Sequence, residues 1–261
     1  MSSSFSPHPS SFLFDYPKKA AFGRVLPKTK IYDHGRVSSA VRQLFVRQVE
    51  QIVWQHKLAP ETVNLKASTA VPEIQIFSIA LKGDELKPEV LRCIDLAIPF
   101  PIIFEIRFDG KVKPVAAFKR PSEADAGKWV ISEYFDSDWV KELTTEDTEH
   151  TEIKKQNNSV SSVFSVVKRQ PLPVVMDLGQ LYDKLLDGLM PYPARPGEDL
   201  QKRVERMELI RLKHRELERC EARLRKEKQF NRKVAINAEL RDLKQELERL
   251  TTENTEGHGN G

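Results

Sequence analysis

Residues 102–118 read IIFEIRFDGKVKPVAAF, and this stretch decides the fold class. Asp109-Gly110 stands between two apolar runs, which is the pattern of a β-hairpin closed by a two-residue turn. The first run, Ile102–Phe108, and the second, Val112–Phe118, are each long enough for one strand. The sequence therefore predicts an antiparallel pair of strands here.

The segments around this hairpin supply further strands and helices. Alternation of apolar and polar residues predicts strands at 73–81 and 128–135. Helical periodicity predicts a helix at 86–97 that directs Val90, Leu91, Ile94 and Leu96 inward. A further helix is expected to begin at a cap at Ser38 or Ser39 and to end near Lys57. This order predicts an α+β domain with a mainly antiparallel sheet and flanking helices.

The C-terminal part of the chain has the periodicity of a helical arm. A helix capped by Asp177 is expected to run to about Met190, and a proline-rich joint follows it. From Leu200 onwards apolar residues recur at helical spacing, but between Leu224 and Ile236 the stripe rotates by about 120° at about 100° per residue. A straight coiled coil does not tolerate that change of phase. The pattern therefore predicts an α-helical coiled-coil hairpin that bends near Gln229–Asn231.

These patterns divide the chain into a folded domain, an insert and an arm. The segment 143–168 combines a Thr-Glu tract with a Ser-Val tract, a composition that favours a surface excursion. The predicted segments are 1–11, a disordered N-terminus; 12–142, the α+β domain; 143–168, a low-complexity insert; 169–196, a helix and proline-rich joint that complete the domain; 197–250, the coiled-coil arm; and 251–261, a disordered tail.

Composition restricts the class of protein. The sequence contains no run of about 18 apolar residues, so we expect no membrane span. Residues 1–19 lack the pattern of a secretory signal. Cys93 and Cys220 lie far apart in the sequence, as expected of a reducing compartment. We therefore expect a cytoplasmic protein. Its net charge is +4, and residues 202–233 hold 13 Lys and Arg against 6 Asp and Glu, so positive charge is concentrated on the arm.

The motifs of common catalytic and cofactor sites are missing from the sequence. The glycines form neither a GxGxxG nor a GxxxxGK[ST] loop, and no GxSxG elbow occurs. The histidines are dispersed and neither cysteine belongs to a ligand pair. We expect no cofactor and no bound metal.

One catalytic alternative remains open. Metal-dependent nucleases bring carboxylates and a lysine together at a sheet edge, and Glu73, Glu105, Asp109 and Lys119 lie on or beside predicted strands. The usual (D/E)xK spacing is not met, because Ile106 and Arg107 follow Glu105. The other interpretation is that these charges keep the strand edges soluble.

Two basic regions are candidates for contacts with nucleic acid or a partner. Near the predicted bend the arm carries Arg223, Arg225, Lys226, Lys228, Arg232 and Lys233, together with Phe230. Near the N-terminus Lys28 and Lys30 stand among aromatic residues. Cations bind phosphates and aromatic rings stack on bases. The alternative is that these residues form ordinary solvated faces.

Several stretches together resemble the uncharacterised bacterial domain-of-unknown-function family 4391. They are FGRVLPKTKIY (22–32), VEQIVWQHKLAPETVNL (49–65), EIQIFSIAL (73–81), IDLAIPFPIIFEI (94–106), PARPGE (193–198) and LRKEKQFNRKVAINAELRDLKQEL (224–247). The resemblance implies a gene often located beside adenine-specific DNA methyltransferases and helicases in restriction-like or phage-defence clusters. It supplies no catalytic residues.

We therefore expect a non-enzymatic accessory or adaptor subunit of a DNA restriction-modification-like or phage-defence complex. A DNA helicase or methyltransferase subunit would be its partner, and the basic arm would contact protein or DNA. Two alternatives are a divalent-metal nuclease that uses Glu73, Glu105 and Lys119, and a structural homodimer formed through the coiled coil.

Overall fold

The computed structural model of the protein describes residues 13–35, 37–125, 128–142 and 166–252. The chain forms two compact units that divide between Met190 and Pro191. The first unit is α+β, with a mostly antiparallel sheet, and the second consists of two helices packed together. The predicted fold class is confirmed.

Most strands of the first unit belong to one sheet. In that sheet the order is β2-β3-β4-β5-β6-β8-β9, and β7 also pairs with β6. Neighbouring strands are antiparallel except for the pairs β4–β5 and β8–β9, and β1 and β10 form a separate parallel pair. The strands are β1 (Phe14–Asp15), β2 (Ala21–Val25), β3 (Val49–Leu58), β4 (Ile74–Leu81), β5 (Ile102–Phe108), β6 (Lys111–Pro121), β7 (Trp129–Asp136), β8 (Val140–Glu142), β9 (Val166–Val167) and β10 (Gln170–Pro171).

Helices precede, connect and follow these strands. They are α1 (Lys28–Gly35), α2 (Ser39–Gln48), α3 (Pro60–Val63), α4 (Pro88–Ala97), α5 (Leu178–Asp187), α6 (Leu200–Lys226) and α7 (Phe230–Thr251), with a short 3-10 helix at Lys18–Ala20. None of the helices in the described part of the chain is long and apolar enough to cross a membrane.

The predicted hairpin is confirmed as β5 and β6. Phe108 pairs with Lys111 at its end, and the two residues between them have positive φ angles, 50° at Asp109 and 69° at Gly110. A type I′ turn requires this left-handed conformation at both positions, and Asp and Gly adopt it more readily than most residues. The turn residues therefore fix the register of the two strands.

The main core lies between the sheet and the helices α1, α2 and α4. It includes Ile31 of α1, Phe45 of α2, Leu91 of α4, and Phe104 and Ile106 of β5. Because successive side chains of a strand point to opposite faces, Glu105 points to the other face of the sheet. The sheet thus separates an apolar face from a face that can carry charge.

One predicted helix is wrong in its second half. The helix expected to run to Lys57 ends at Gln48, and the chain continues without a loop into β3. Val49–Leu58 is rich in β-branched and aromatic residues, and β3 lies between β2 and β4 in the sheet. Pairing with two neighbouring strands outweighs the helical periodicity of the segment.

Other predicted elements agree with the structure. The strands at 73–81 and 128–135 are confirmed as β4 and β7. The cap of α5 is confirmed, because Asp177 Oδ1 accepts a hydrogen bond from the backbone N–H of Gln180 at 2.9 Å. In α4 the predicted inward position of Leu96 is wrong: its side chain is 56% exposed, and the neighbouring Asp95 is buried instead.

The segment boundaries need two corrections. The end of the predicted insert belongs to the sheet, since Val166–Val167 form β9 and Val167 is 3% exposed. The proline-rich joint belongs to the second unit, because the carbonyls of Tyr192 and Pro193 accept hydrogen bonds from arginines of α6. The rest of the insert, 143–165, the predicted disordered N-terminus and most of the predicted tail lie outside the described residues.

The second unit is an antiparallel helical hairpin, as predicted. Cys220, Ile236 and Leu240 form its core near the bend, and the carboxylate of Glu246 on α7 lies 3.0 Å from Lys213 Nζ on α6. The break falls at 227–229. The bend was predicted near Gln229–Asn231, but Asn231 lies inside α7, which Gln229 precedes as N-cap.

Candidate functional site

Glu105 is the centre of an ion-pair network on the charged face of the sheet. The Arg169 guanidinium donates to both of its carboxylate oxygens at 2.9 and 2.8 Å, and Arg107 Nη2 donates to Oε2 at 2.8 Å. The same arginines bind Glu142, at 2.5 Å from Arg169 Nε and 3.2 Å from Arg107 Nη1. Burial favours a higher pKa for the Glu142 carboxyl, but these arginine hydrogen bonds outweigh it and lower that pKa. The two positive and two negative charges balance.

Tyr16 and His56 accompany this network, with ring centroids 4.6 Å apart. Burial, followed by the negative charge of Glu105, raises the pKa of Tyr16, and burial lowers the pKa of His56. Both rings are therefore neutral at pH 7. Arg169 also donates to the carbonyl of Phe14 at 2.7 Å, so the network attaches the N-terminal strand β1 to the sheet.

Lys119 lies on the opposite face of the sheet, beneath the C-terminus of α4. Its buried ammonium donates to the backbone carbonyls of Asp95 and Ile98, and Nζ lies 3.6 Å from Asp95 Oδ1. The ring of Trp129 is 5.6 Å from the same nitrogen. A cation at the carbonyl end of a helix is favourable because it binds otherwise unpaired carbonyls. Lys119 therefore acts as a helix cap.

Asp95 connects this cap to Tyr134, whose hydroxyl donates to Asp95 Oδ2 at 2.5 Å. Burial raises the pKa of Asp95 to about 6, although Lys119 and Tyr134 act in the other direction. Burial lowers the pKa of Lys119, and burial together with the charge of Asp95 raises the pKa of Tyr134. The sequence offered no signal for this cluster, because Asp95 stands beside Leu96 on a helix whose apolar pattern favoured Leu96 for the interior.

The residues of the nuclease alternative have separate partners. Glu73 accepts a hydrogen bond from Gln75 Nε2 at 2.6 Å and lies 3.2 Å from Lys57 Nζ. Glu105 and Lys119 lie on opposite faces of the sheet. Among the residues that the structure describes, no group of three or more His, Cys, Asp or Glu side chains is placed to hold a metal ion.

The two candidate lysines near the N-terminus differ in their surroundings. Lys28 Nζ donates to the carbonyl of Phe45 at 3.2 Å and to that of Val49 at 2.5 Å, at the end of α2. Burial, followed by the nearby charge of Lys82, lowers the pKa of Lys28. Lys30 is exposed on α1. The ammonium group of Lys28 is thus engaged within the fold.

The bend of the hairpin is formed by Glu227–Gln229. Glu227 adopts an extended conformation, with φ −72° and ψ 136°, and so ends α6. Its side-chain Oε1 accepts hydrogen bonds from the backbone N–H groups of Lys228 and Gln229, both at 2.8 Å. These bonds lower the pKa of the Glu227 carboxyl. α7 then begins at Phe230, which places all seven predicted arm residues around one bend, called here the hairpin tip (residues 223–236).

Most cations of the hairpin tip are available for a ligand. Arg223 Nη1 bonds Glu239 of α7 at 3.1 and 3.2 Å, and Arg232 lies 4.0 Å from the Glu227 carboxylate. The remaining tip cations are exposed and make no ion pair with any residue that the structure describes: Arg225, Lys226, Lys228 and Lys233.

An exposed aromatic ring and a cavity lie among these cations. The side chain of Phe230 is 77% exposed and that of Val234 is 53% exposed. A cavity of about 380 Å³ is lined by Arg223, Lys226, Glu227, Arg232, Ala235 and Ile236. A polyanion that enters it would meet cations from both helices, and a planar group would find the ring of Phe230 nearby.

The base of the hairpin contains arginines that are not among the site residues predicted from the sequence. Arg206 binds both oxygens of Glu198 at 2.7 Å and the carbonyls of Pro193 and Leu250. Arg195 donates to carbonyls at the end of α7, including that of Leu250 at 3.0 Å. The PARPGE stretch holds Pro193, Arg195 and Glu198, so this motif is explained by closure of the hairpin.

Comparison with known proteins identifies the family of the chain. Searches of curated proteins and of solved structures find no significant similarity to this chain. A family model described as "Domain of unknown function (DUF4391)" matches residues 14–247. This match covers most of the chain, from β1 to α7, and confirms the resemblance inferred from the sequence. The chain therefore belongs to the DUF4391 family.

Proposed function

We propose that this protein is a non-enzymatic accessory subunit of a DNA-acting complex, and that its hairpin tip binds the DNA backbone. The observation that carries the proposal is the group of exposed, unpaired cations Arg225, Lys226, Lys228 and Lys233 beside exposed Phe230. Exposed Lys and Arg side chains neutralise backbone phosphates, and aromatic rings add stacking on unpaired bases.

The wider setting of the proposal follows from the family resemblance. A companion DNA helicase or methyltransferase, within a restriction-modification-like or phage-defence complex, would supply the chemistry. This subunit would change the companion's affinity for DNA. A cytoplasmic location is part of the same proposal. The homodimer alternative makes the hairpin a structural element and assigns no role to the unpaired cations.

Charge reversal at the hairpin tip tests the proposal. Each phosphate contact contributes about −0.9 to the slope of log K against log salt concentration. The variant with Lys226→Glu, Lys228→Glu and Lys233→Glu is expected to flatten that slope by up to about 3. The measurement is fluorescence anisotropy of a labelled duplex and a labelled single strand, between about 50 and 200 mM salt.

A matched control changes the net charge equally away from the tip. Lys18, Lys19 and Lys244 are exposed, and their joint replacement by Glu is expected to leave most of the salt slope intact. Equal salt slopes for the tip variant and the wild type would show that the hairpin tip does not bind DNA. Cleavage of DNA by the purified protein with Mg²⁺ or Mn²⁺, lost in Glu73→Gln, would replace the accessory role with the nuclease alternative.

A further inference from the structure

A second cavity, of about 360 Å³, opens in the first unit. It lies beside Leu81, which ends β4, near Ile106 towards the end of β5, and at Pro88, where α4 begins. These two strands are parallel, and α4 connects them. Ligands of α/β sheets bind at the carboxyl ends of parallel strands, because the chain segments diverge there. The volume falls in the range of about 300–1,000 Å³ that is usual for binding pockets.

The walls of this cavity are apolar. Leu81, Leu91, Ile106 and Val115 belong to the main core, and Leu86, Tyr134 and Trp139 pack against that core while partly exposed. An aliphatic or aromatic group that enters the cavity is therefore transferred from water into apolar surroundings. Such burial of one side chain favours binding.

Tyr134 forms a wall that is fixed before any ligand binds. Its hydroxyl is bonded to Asp95, which lies beside the buried ammonium of Lys119 beneath α4. Its ring contacts Phe104 edge to face, with centroids 6.3 Å apart. A preformed wall lowers the entropy lost on binding.

The rim of the cavity is acidic, although the chain as a whole has a net charge of +4. The charged lining residues are Asp84, Glu85 and Asp136 against Lys113. Asp136 forms an ion pair with Lys113, and Glu85 lies 2.5 Å from Lys87 Nζ. Asp84 is exposed and makes no ion pair with a described residue. The rim therefore favours a positively charged partner.

We propose that this cavity binds one aromatic side chain of a protein partner, carried on a segment with basic residues on either side. The charges lie at the exposed rim and the apolar groups line the interior, so the partner's charge stays near solvent while its ring is buried. A small cationic ligand that filled the interior would place its charge against the apolar lining. A protein segment can bury an aromatic ring in the apolar interior while its basic residues contact the acidic rim.

The site deepens the accessory role, since a companion protein would supply the segment, but its test contains no DNA. The probes are three acetylated and amidated tripeptides, Arg-Phe-Arg, Arg-Ala-Arg and Glu-Phe-Glu, titrated into the full chain and followed by amide chemical shifts. Saturable binding of Arg-Phe-Arg is expected, with shift changes at residues 81–91, 106, 113–115 and 134–139. The other two peptides are expected to bind at least roughly threefold more weakly, because each lacks one of the two contributions.

Two variants and a control test the location. Asp84→Lys reverses an exposed charge and is expected to weaken Arg-Phe-Arg binding roughly threefold or more. Leu86→Trp fills the mouth and is expected to abolish it. Asp33→Lys, an exposed acid on α1, is expected to leave it unchanged. Equal binding of all three peptides, shifts that map elsewhere, or no saturation would each overturn the proposal. The tip variant with three reversed lysines is expected to bind the peptide as the wild type does. Failure of the DNA-binding proposal is therefore distinguishable from failure of the peptide-binding proposal.

Discussion

Asp95 is a buried carboxyl whose protonation is linked to stability. Its pKa in the folded protein is about 6, above the ordinary value of 3.8, because of burial. Between these values the folded state binds more protons than the unfolded state, and stability therefore falls as the pH rises. The contribution is fully present below about pH 4 and is lost as the pH rises through 6.

Replacement of Asp95 by Asn removes this titration. The amide oxygen still accepts the Tyr134 hydroxyl, and the backbone carbonyl that binds Lys119 is unchanged. We expect the wild type to lose roughly 3 kcal/mol between about pH 4 and 6 from this group, and Asp95→Asn to lack that loss. Urea unfolding at a series of pH values measures the difference. Asp33→Asn, at an exposed site, is expected to behave as the wild type does, and parallel curves for Asp95→Asn and the wild type would contradict the assignment.

At the level of single residues, the sequence predicts which charges are unusual but not which partners they bind. Glu105 and Lys119 were recognisable because each interrupts an apolar strand. Their partners were not recognisable, since Arg169 is 64 positions from Glu105 and Asp95 is 24 positions from Lys119. Only the folded sheet decides which face each charge occupies and which distant group it meets there.

At the level of elements, the junction of α2 and β3 depends on lysines from elsewhere in the chain. α2 passes into β3 without a loop, so no glycine or turn binds its last carbonyls. Lys28 donates to Phe45 and Val49 carbonyls, and Lys82 Nζ donates to the carbonyl of Val46 at 2.8 Å. Two cations thus replace the usual C-cap.

Lys28→Met tests this role of the lysines. It keeps the length of the side chain and removes the donors, and it is expected to lower the free energy of unfolding by roughly 1–3 kcal/mol. Lys19→Met, at an exposed lysine, is expected to change it by less than about 0.5 kcal/mol. Equal effects of the two variants in chemical denaturation would show that Lys28 contributes as a surface residue only.

Elements with strong local signals were predictable and the others were not. The β5–β6 hairpin follows from Asp109-Gly110, and the arm hairpin follows from a change of phase in its own apolar stripe. β3 was missed because Val49–Leu58 carries both a helical spacing and strand-forming residues, and its neighbours in the sheet decide between them. The cavity beside α4 is lined by residues from separate strands and loops, so no local sequence pattern predicts it.

Across the whole first unit, Arg169 joins segments that are far apart in the sequence. It binds Glu105 in β5, Glu142 in β8 and the carbonyl of Phe14 in β1, 155 positions away. Among the described residues, β1 pairs with the two residues of β10, and the ring of Tyr16, which follows β1, lies 4.6 Å from that of His56. One guanidinium group therefore links the N-terminal segment to β5 and β8.

Arg169→Met leaves Glu105 buried without its main partner and is expected to destabilise the protein by about 3–5 kcal/mol. Adding Glu105→Gln removes the uncompensated charge, so the double variant is expected to be more stable than Arg169→Met alone. Arg120→Met, which breaks an exposed pair with Glu123, is expected to cost less than about 1 kcal/mol. The measurement is denaturant unfolding of the wild type, Arg169→Met, Glu105→Gln and the double variant, which together form a double-mutant cycle. Arg120→Met is measured beside them as the control. A coupling energy near zero would mean that the network stabilises β1 through Phe14 alone, and that the charge of Glu105 is satisfied by Arg107.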